Sequence, residues 1–309
     1  MFRPVRLLIG LLALAIAATA SAQPRTANPE KRGLKPGDLP RLVKITDDVY
    51  GYEGIHNSGM PTVSLIVIGN DGVLIADGQG SPDATQKMLD AITKVTTKPV
   101  KWYIVGSDHG DHTAGNSVLP KNITYIVSAA SKAQLERDAA TAKPPRVVVV
   151  PPTAMPGDKQ VVDIGGSQVQ VLNLGRAHTG GDLSVYLPKH GILFMSEAYL
   201  NRVFPAMRSA YPREWLKTLD KAIAMNARHY IPGHGFVEDP KVAREELVEY
   251  RKALQYVIEE VNRLHKLGLS ADDARKQANW GPYQDWMLAD SQDIIAIRRV
   301  YEEIDGKLK

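Results

Sequence analysis

The sequence predicts an α/β chain in which two similar groups of strands and helices are followed by a helical C-terminal third. Three observations carry this. Short β-branched or apolar runs alternate with helical stripes in the order strands, helix, strand, helix, first in 43–140 and again in 161–231. After Asp239, the residues Leu247, Tyr250, Leu254, Ile258, Val261 and Leu264 keep spacings of three and four, which is a helix with one buried face. Of the 309 residues, 44% are hydrophobic, enough to build one large core or two small ones and too many for a disordered chain.

Residues 1–22 stand apart from the fold. Arg3 and Arg6 precede an apolar run at 7–19, and Ala20-Ser21-Ala22 is a small-x-small site. This is the order of a secretory signal peptide. The run is shorter than the roughly 18–20 residues that a spanning helix needs. The expectation is cleavage after Ala22, a mature chain from Gln23, a periplasmic or secreted location and no stable membrane anchor after cleavage. Losing Arg3 and Arg6 takes the formal charge from +4 to +2. Residues 23–40, rich in Pro, Gly, Lys and Arg, read as a flexible lead-in.

The elements then follow in order. Strands are expected at 49–53, 62–69 and 73–76, with Asn70-Asp71-Gly72 turning between the last two. Ser81-Pro82 opens a helix as cap and first-turn proline, with Met88, Leu89, Ile92 and Val95 on one face. Lys98-Pro99 stops it before a strand at 100–106. A strand at 123–127, a helix at 131–140 and a strand at 147–150 come next. Strands at 161–164 and 168–174 surround Gly165-Gly166, and 183–187 and 192–195 flank His190-Gly191. A helix at 213–225, a last strand at 228–231 and three helices after Asp239-Pro240 complete the chain. The main domain is therefore 41–238, with 239–309 a helical extension packed on it.

Composition excludes several chemistries. With no cysteine, the chain has no disulfide, thiolate metal site or cysteine nucleophile. Lys and Arg exceed Asp and Glu by only 38 to 34, with no like-charged run, which argues against a nucleic-acid partner.

The strongest local signal is Ser107-Asp108-His109-Gly110-Asp111-His112-Thr113, directly after a strand. Imidazole and carboxylate suit Zn²⁺ and similar divalent ions. His178, Glu197 and His234 also follow expected strands, so all these side chains can gather on one sheet edge. His56, in Gly54-Ile55-His56-Asn57-Ser58-Gly59, and Ser107 are candidate pocket or substrate residues. His190, His229 and His265 read as turn, strand-end and helix-surface residues, and Trp280, Tyr283 and Trp286 as packing anchors.

On these motifs the sequence resembles the metallo-β-lactamase superfamily, from about Val43 to about Val237. The family's HxHxDH aligns with residues 107–112, its AHTxGD with Ala177-His178-Thr179-Gly180-Gly181-Asp182, and its bridging-acid strand with Ile192-Leu193-Phe194-Met195-Ser196-Glu197. Its terminal PGHG aligns with Pro232-Gly233-His234-Gly235, and the segment ending at Asp77 matches a further signature. The resemblance implies a four-layer αββα sandwich with a metal centre along one edge. It makes His109, Asp111, His112, His178, Glu197 and His234 metal ligands and Asp111 also catalytic. Two positions depart from the family: Ser107 stands for the first histidine, and Glu197 for the usual bridging Asp. A neutral hydroxyl is a poor ligand, so one tight Zn²⁺ is expected in the Asp111, His112 and His234 site, with a second weak or absent. Asp108 is expected to point away.

The function implied is an exported metal-dependent hydrolase that uses a metal-bound hydroxide on an amide, ester or lactone of a small molecule. The alternatives are an iron-dependent oxidoreductase on the same fold and a non-catalytic metal- or partner-binding protein. The apolar stripe of the C-terminal third is also suited to a homodimer contact.

Overall fold

The computed structural model describes residues 24–35 and 37–308; the expected signal at 1–22 lies outside the described residues. Strands β1 (Arg41–Lys44), β2 (Val49–Ile55), β3 (Pro61–Ile68), β4 (Val73–Ala76), β5 (Val100–Ile104) and β6 (Thr124–Ile126) form one sheet in chain order. Pairing is antiparallel from β1 to β4 and parallel from β4 to β6. Parallel neighbours need a crossover. Helix α1 (Pro82–Thr93) makes the first, and the short α2 (Gly110–Thr113) lies in the second. After α3 (Ala129–Thr141), β7 (Lys159–Asp163), β8 (Gln168–Leu172), β9 (Ser184–Leu187) and β10 (Ile192–Phe194) run antiparallel. Helix α4 (Pro212–Ala224) then crosses to β11 (His229–Ile231), parallel to β10.

Strand alternation divides the core. Leu65 and Val67 of β3 point between the sheets, against Val169, Val171, Val185 and Phe194. Ile66, between them in sequence, points outward to Met88 and Ile92 of α1 and Leu135 of α3. On the other sheet, Leu193 and Tyr230 face outward, toward Trp215 and Leu219 of α4. The order is helices, sheet, sheet, helices, as the resemblance implies. Helix α5 (Pro240–Lys266), capped by the Asp239 carboxylate accepting from Lys241 N at 2.8 Å, lays Leu247, Tyr250, Leu254 and Val257 on the same outer cluster. Helices α6 (Ala271–Gln277) and α7 (Ala289–Ile304) complete it.

Two expectations give way, and one strand lies outside the expectations. Residues 147–150 form no strand: they lie between two proline pairs without a ladder partner among the described residues, although Val148 and Val150 pack on the outer cluster. The edge strand β1 has only four residues, two of them charged, and gains its conformation from β2. The lead-in is not loose. Ala27 is buried, and the Arg32 guanidinium pairs with Glu238 and lies 4.3 Å from the Phe236 ring centre.

Candidate metal centre

The site forms where strands stop. After β5 the chain passes through Ser107 into α2, which carries Asp111 and His112, with His109 at its N-cap position. His178 follows β8, Glu197 lies in the turn after β10, and His234 follows β11. Close approach of the last two loops depends on Gly233, where a Cβ would lie 2.4 Å from the Ser196 carbonyl carbon.

Glu197 sits at the middle. Its Oε2 is 2.9 Å from His109 Nδ1, and its Oε1 is 3.1 Å from His178 Nε2 and 3.3 Å from His234 Nε2. His234 Nε2 is also 2.9 Å from Asp111 Oδ2 and 3.2 Å from His112 Nε2. Two ligand groups result: Asp111, His112, Glu197 and His234, and His109, His178 and Glu197. All six expected ligands are thus brought together, with Glu197 common to both groups. Ser107 is buried beside them and donates to Glu197 Oε2 at 2.5 Å. Asp108 points elsewhere, accepting from Ser131 Oγ at 2.8 Å.

The donor set fits a cation. His234 Nδ1 is 3.2 Å from the Pro61 carbonyl, which only accepts, so Nδ1 carries a proton. His112 Nδ1 lies 3.1 Å from Asp77 Oδ2. Both rings thus turn Nε2 inward, 3.2 Å apart, with carboxylate oxygens beside them. Deprotonated, the two nitrogens and the carboxylates form a donor set that a divalent ion would accept in exchange for the protons.

The same fold occurs in known proteins. No family model matches the chain. Over 197 residues it is 23% identical to a metallo-β-lactamase type 2 of Bacillus sp. (strain 170), covering 61% of this chain and 72% of that one. The solved metallo-β-lactamase from Pontibacter korlensis superposes with a TM-score of 0.59 at 21% identity, over 70% of this chain and 98% of that one. The sec-alkylsulfatase Pisa1 from Pseudomonas sp. gives a TM-score of 0.68 at 14% identity, over 90% of this chain. This chain spans only about half of the sulfatase, 52% of its length. The chain has the metallo-β-lactamase fold and is similar in sequence to metallo-β-lactamases.

The centre is a lattice of opposed charges. Burial disfavours protonated His109, but Glu197 outweighs it and lifts the pKa to about 9. Burial likewise opposes protonation of His234, yet hydrogen bonds to Asp111 and Glu197 raise it to about 10. Against burial, the imidazoles around Glu197 hold its carboxyl well below the usual range; against burial and the Glu197 charge, His112 and His234 do the same for Asp111. His178 moves the other way, because burial dominates.

Three supporting residues were not singled out as site residues from sequence. Asp77 Oδ1 accepts from Gly106 N at 2.7 Å, while Oδ2 takes the Ser196 hydroxyl and orients His112, tying three motifs together. Its end-of-signature position was the available signal. Trp215 of α4 donates to Ala198 O at 2.8 Å and stands edge-on to His178 at 5.3 Å between ring centres. Ser209 Oγ lies 3.2 Å from His109 Nε2. No sequence pattern marks these last two.

An open cavity of about 1050 Å³ leads to the centre, lined by His56, His109, Asp111, Ser209 and several arginines. The His56 ring accepts at Nδ1 from Ser58 N at 3.0 Å, so its Nε2 carries the proton. That Nε2 lies 3.6 Å from Asp111 Oδ2. His190 meets Asp48, His229 donates to the Glu238 carbonyl at 2.8 Å, and His265 meets Asp305, all through structural contacts.

Proposed function

We propose that the chain is an exported metal-dependent hydrolase of small amide, ester or lactone substrates. The observation that carries this reading is the pair of ligand groups sharing Glu197 at the floor of an open cleft. A divalent ion held there supplies Lewis acidity and lowers the pKa of water. The similarity to a metallo-β-lactamase supports the hydrolytic class, and the likeness to an alkylsulfatase adds sulfate esters to the bonds worth testing.

The protein's own groups have separable roles. His112, His234, Asp111 and Glu197 hold one ion; His109, His178 and Glu197 offer the second position, without the imidazole that Ser107 replaces. Asp111 is the carboxylate of the centre that reaches the cleft, with its side chain 23% exposed against 4% for Glu197. It is therefore placed to orient an entering water and accept its proton. His56 presents an N–H on the same side, suited to a substrate oxygen that gains charge.

The test is to strip the purified mature protein with chelator and reload it separately with zinc, iron and manganese. Each form is then assayed on nitrocefin, p-nitrophenyl esters, a lactone and an alkyl sulfate. Metal-restored turnover of an ester, lactone or β-lactam supports the reading. Turnover of the alkyl sulfate alone moves the substrate class, and oxygen consumption by the iron form alone replaces hydrolysis with oxidation.

A further inference from the structure

The 24–35 segment is anchored at three points. Ala27 is buried in the outer cluster around α5. Arg25 Nη1 lies 3.0 Å from Glu246 Oε1. The Arg32 guanidinium pairs with Glu238, and both side chains are largely buried, 6% and 12% exposed. Arg32 is itself held in place, since its Nε donates to the Thr26 carbonyl at 2.8 Å and its guanidinium lies over the Phe236 ring.

Each carboxylate that the segment grips holds a second partner. Glu238 Oε1 accepts from Asn201 Nδ2 at 3.0 Å. Glu246 accepts from Arg202 Nε and Nη2 at 2.6 Å and 2.8 Å. The two links thus end on consecutive residues, in the stretch that follows Glu197. That stretch is one wall of the His234 loop. Asn201 N donates to the His234 carbonyl at 2.9 Å, and Gly233 N donates to the Tyr199 carbonyl at 3.0 Å. Strand β3 is the other wall, with Gly235 N donating to the Pro61 carbonyl at 3.1 Å and Val63 N to the Gly233 carbonyl at 2.8 Å. Packing leaves little slack: a Cβ on Gly235 would lie 2.3 Å from the Asn201 carbonyl oxygen. A shift of the 199–201 wall therefore carries His234 with it.

Glu238 is the sensitive joint. Removing one partner of a buried ion pair leaves an uncompensated charge. Without Arg32, the Glu238 carboxylate gains by turning toward solvent, and that turn releases the Asn201 amide.

We propose that Arg32 is a positioning residue for the metal centre: through Glu238 and Asn201 it fixes the stretch between Glu197 and the His234 loop, so the lead-in segment sets the affinity of the Asp111, His112, Glu197 and His234 group. This rests on the metal centre of the proposed function.

The experiment measures zinc affinity by chelator competition and the visible spectrum of the cobalt(II) form, with every variant well below its melting temperature. Arg32→Gln is expected to weaken zinc binding about tenfold, the lower end of the range for losing a partner behind a ligand. Its cobalt bands should shift, because His234 and Glu197 no longer meet the ion in the same geometry. Arg32→Lys keeps the charge without the guanidinium fork, so it should recover part of the affinity. It also carries the test if Arg32→Gln does not fold. The stability control is Ile92→Ala, which removes a buried side chain from the outer face of the other sheet. That variant should melt lower and keep the zinc affinity and cobalt spectrum of wild type. Wild-type zinc affinity and cobalt bands in a folded Arg32→Gln that melts lower overturn the proposal and leave the segment a stabilising strap. An equal loss of affinity in Ile92→Ala overturns it too. A wild type that takes up neither zinc nor cobalt overturns the metal-centre reading itself, and the positioning role with it.

Discussion

Ser107 donates its hydroxyl proton to Glu197 Oε2 at 2.5 Å, across 90 positions of sequence. The residue that stands where the resemblance implies a histidine is a hydrogen-bond donor to the carboxylate shared by both ligand groups. That bond occupies one lone pair of the oxygen nearest His109, so the His109 and His178 group is weakened twice.

The expected outcome is near-unit metal content at modest free zinc, held by Asp111, His112 and His234. Ser107→His should raise the stoichiometry toward two, and His234→Ala should empty the protein, as read by elemental analysis after gel filtration. Two equally tight ions in the wild type, or a single ion that survives His234→Ala and leaves on His178→Ala, would reverse the assignment.

Asp77 sits at φ 63 and orients His112 through its second oxygen. Asparagine tolerates that backbone and keeps one acceptor. Asp77→Asn should therefore leave the fold intact by circular dichroism. Losing the carboxylate behind a ligating imidazole should weaken zinc binding about 10–100-fold in a chelator competition.

Protons compete for the same nitrogens. His109 and His234 are raised to about 9 and about 10, so their contribution to metal-free stability is full below the unfolded histidine value and lost as pH rises through those pKa values. Asp111 and Glu197 are depressed, so theirs is present above the unfolded carboxylate value and lost on acidification. The metal-free protein should accordingly melt lower at pH 10 than at pH 7. Zinc binding should tighten across the same rise, with protons released at pH 7.5. Calorimetry in buffers of different ionisation enthalpy measures that release, and a buffer-independent heat would contradict it.

Trp215 joins α4 to the turn carrying Glu197. Trp215→Phe keeps most of the ring but leaves the buried Ala198 carbonyl without its donor. The expected loss is about 1–3 kcal/mol in urea unfolding, with zinc lost from the His109 and His178 position before the other.

Export is tested by mass. Expression with the native N-terminus should yield an extracytoplasmic protein beginning at Gln23. Retention of Met1 in a cytoplasmic protein would remove this part of the proposal.

Much of this molecule was legible in the linear chain. The 3.6-residue stripes of α1, α4 and α5 and the β-branched runs of β3, β4 and β8 are local consequences of burying one face, so they appear wherever the core will be. The six candidate ligands were legible for a related reason. Imidazole and carboxylate groups placed just after strands have few structural uses together, and four ordered motifs contained them. What the chain concealed depends on partners distant in sequence. β1 is a strand because β2 offers a ladder, and 147–150 is not one because no ladder reaches it. The 24–35 segment packs because Glu238 and Phe236 meet Arg32, some 200 residues away in sequence. Nor does any local pattern disclose that Ser107 points at Glu197 or that Asp77 carries His112. Hydrogen bonds and charge balance are properties of neighbours in space, and only the closing of two sheets on each other made these residues neighbours.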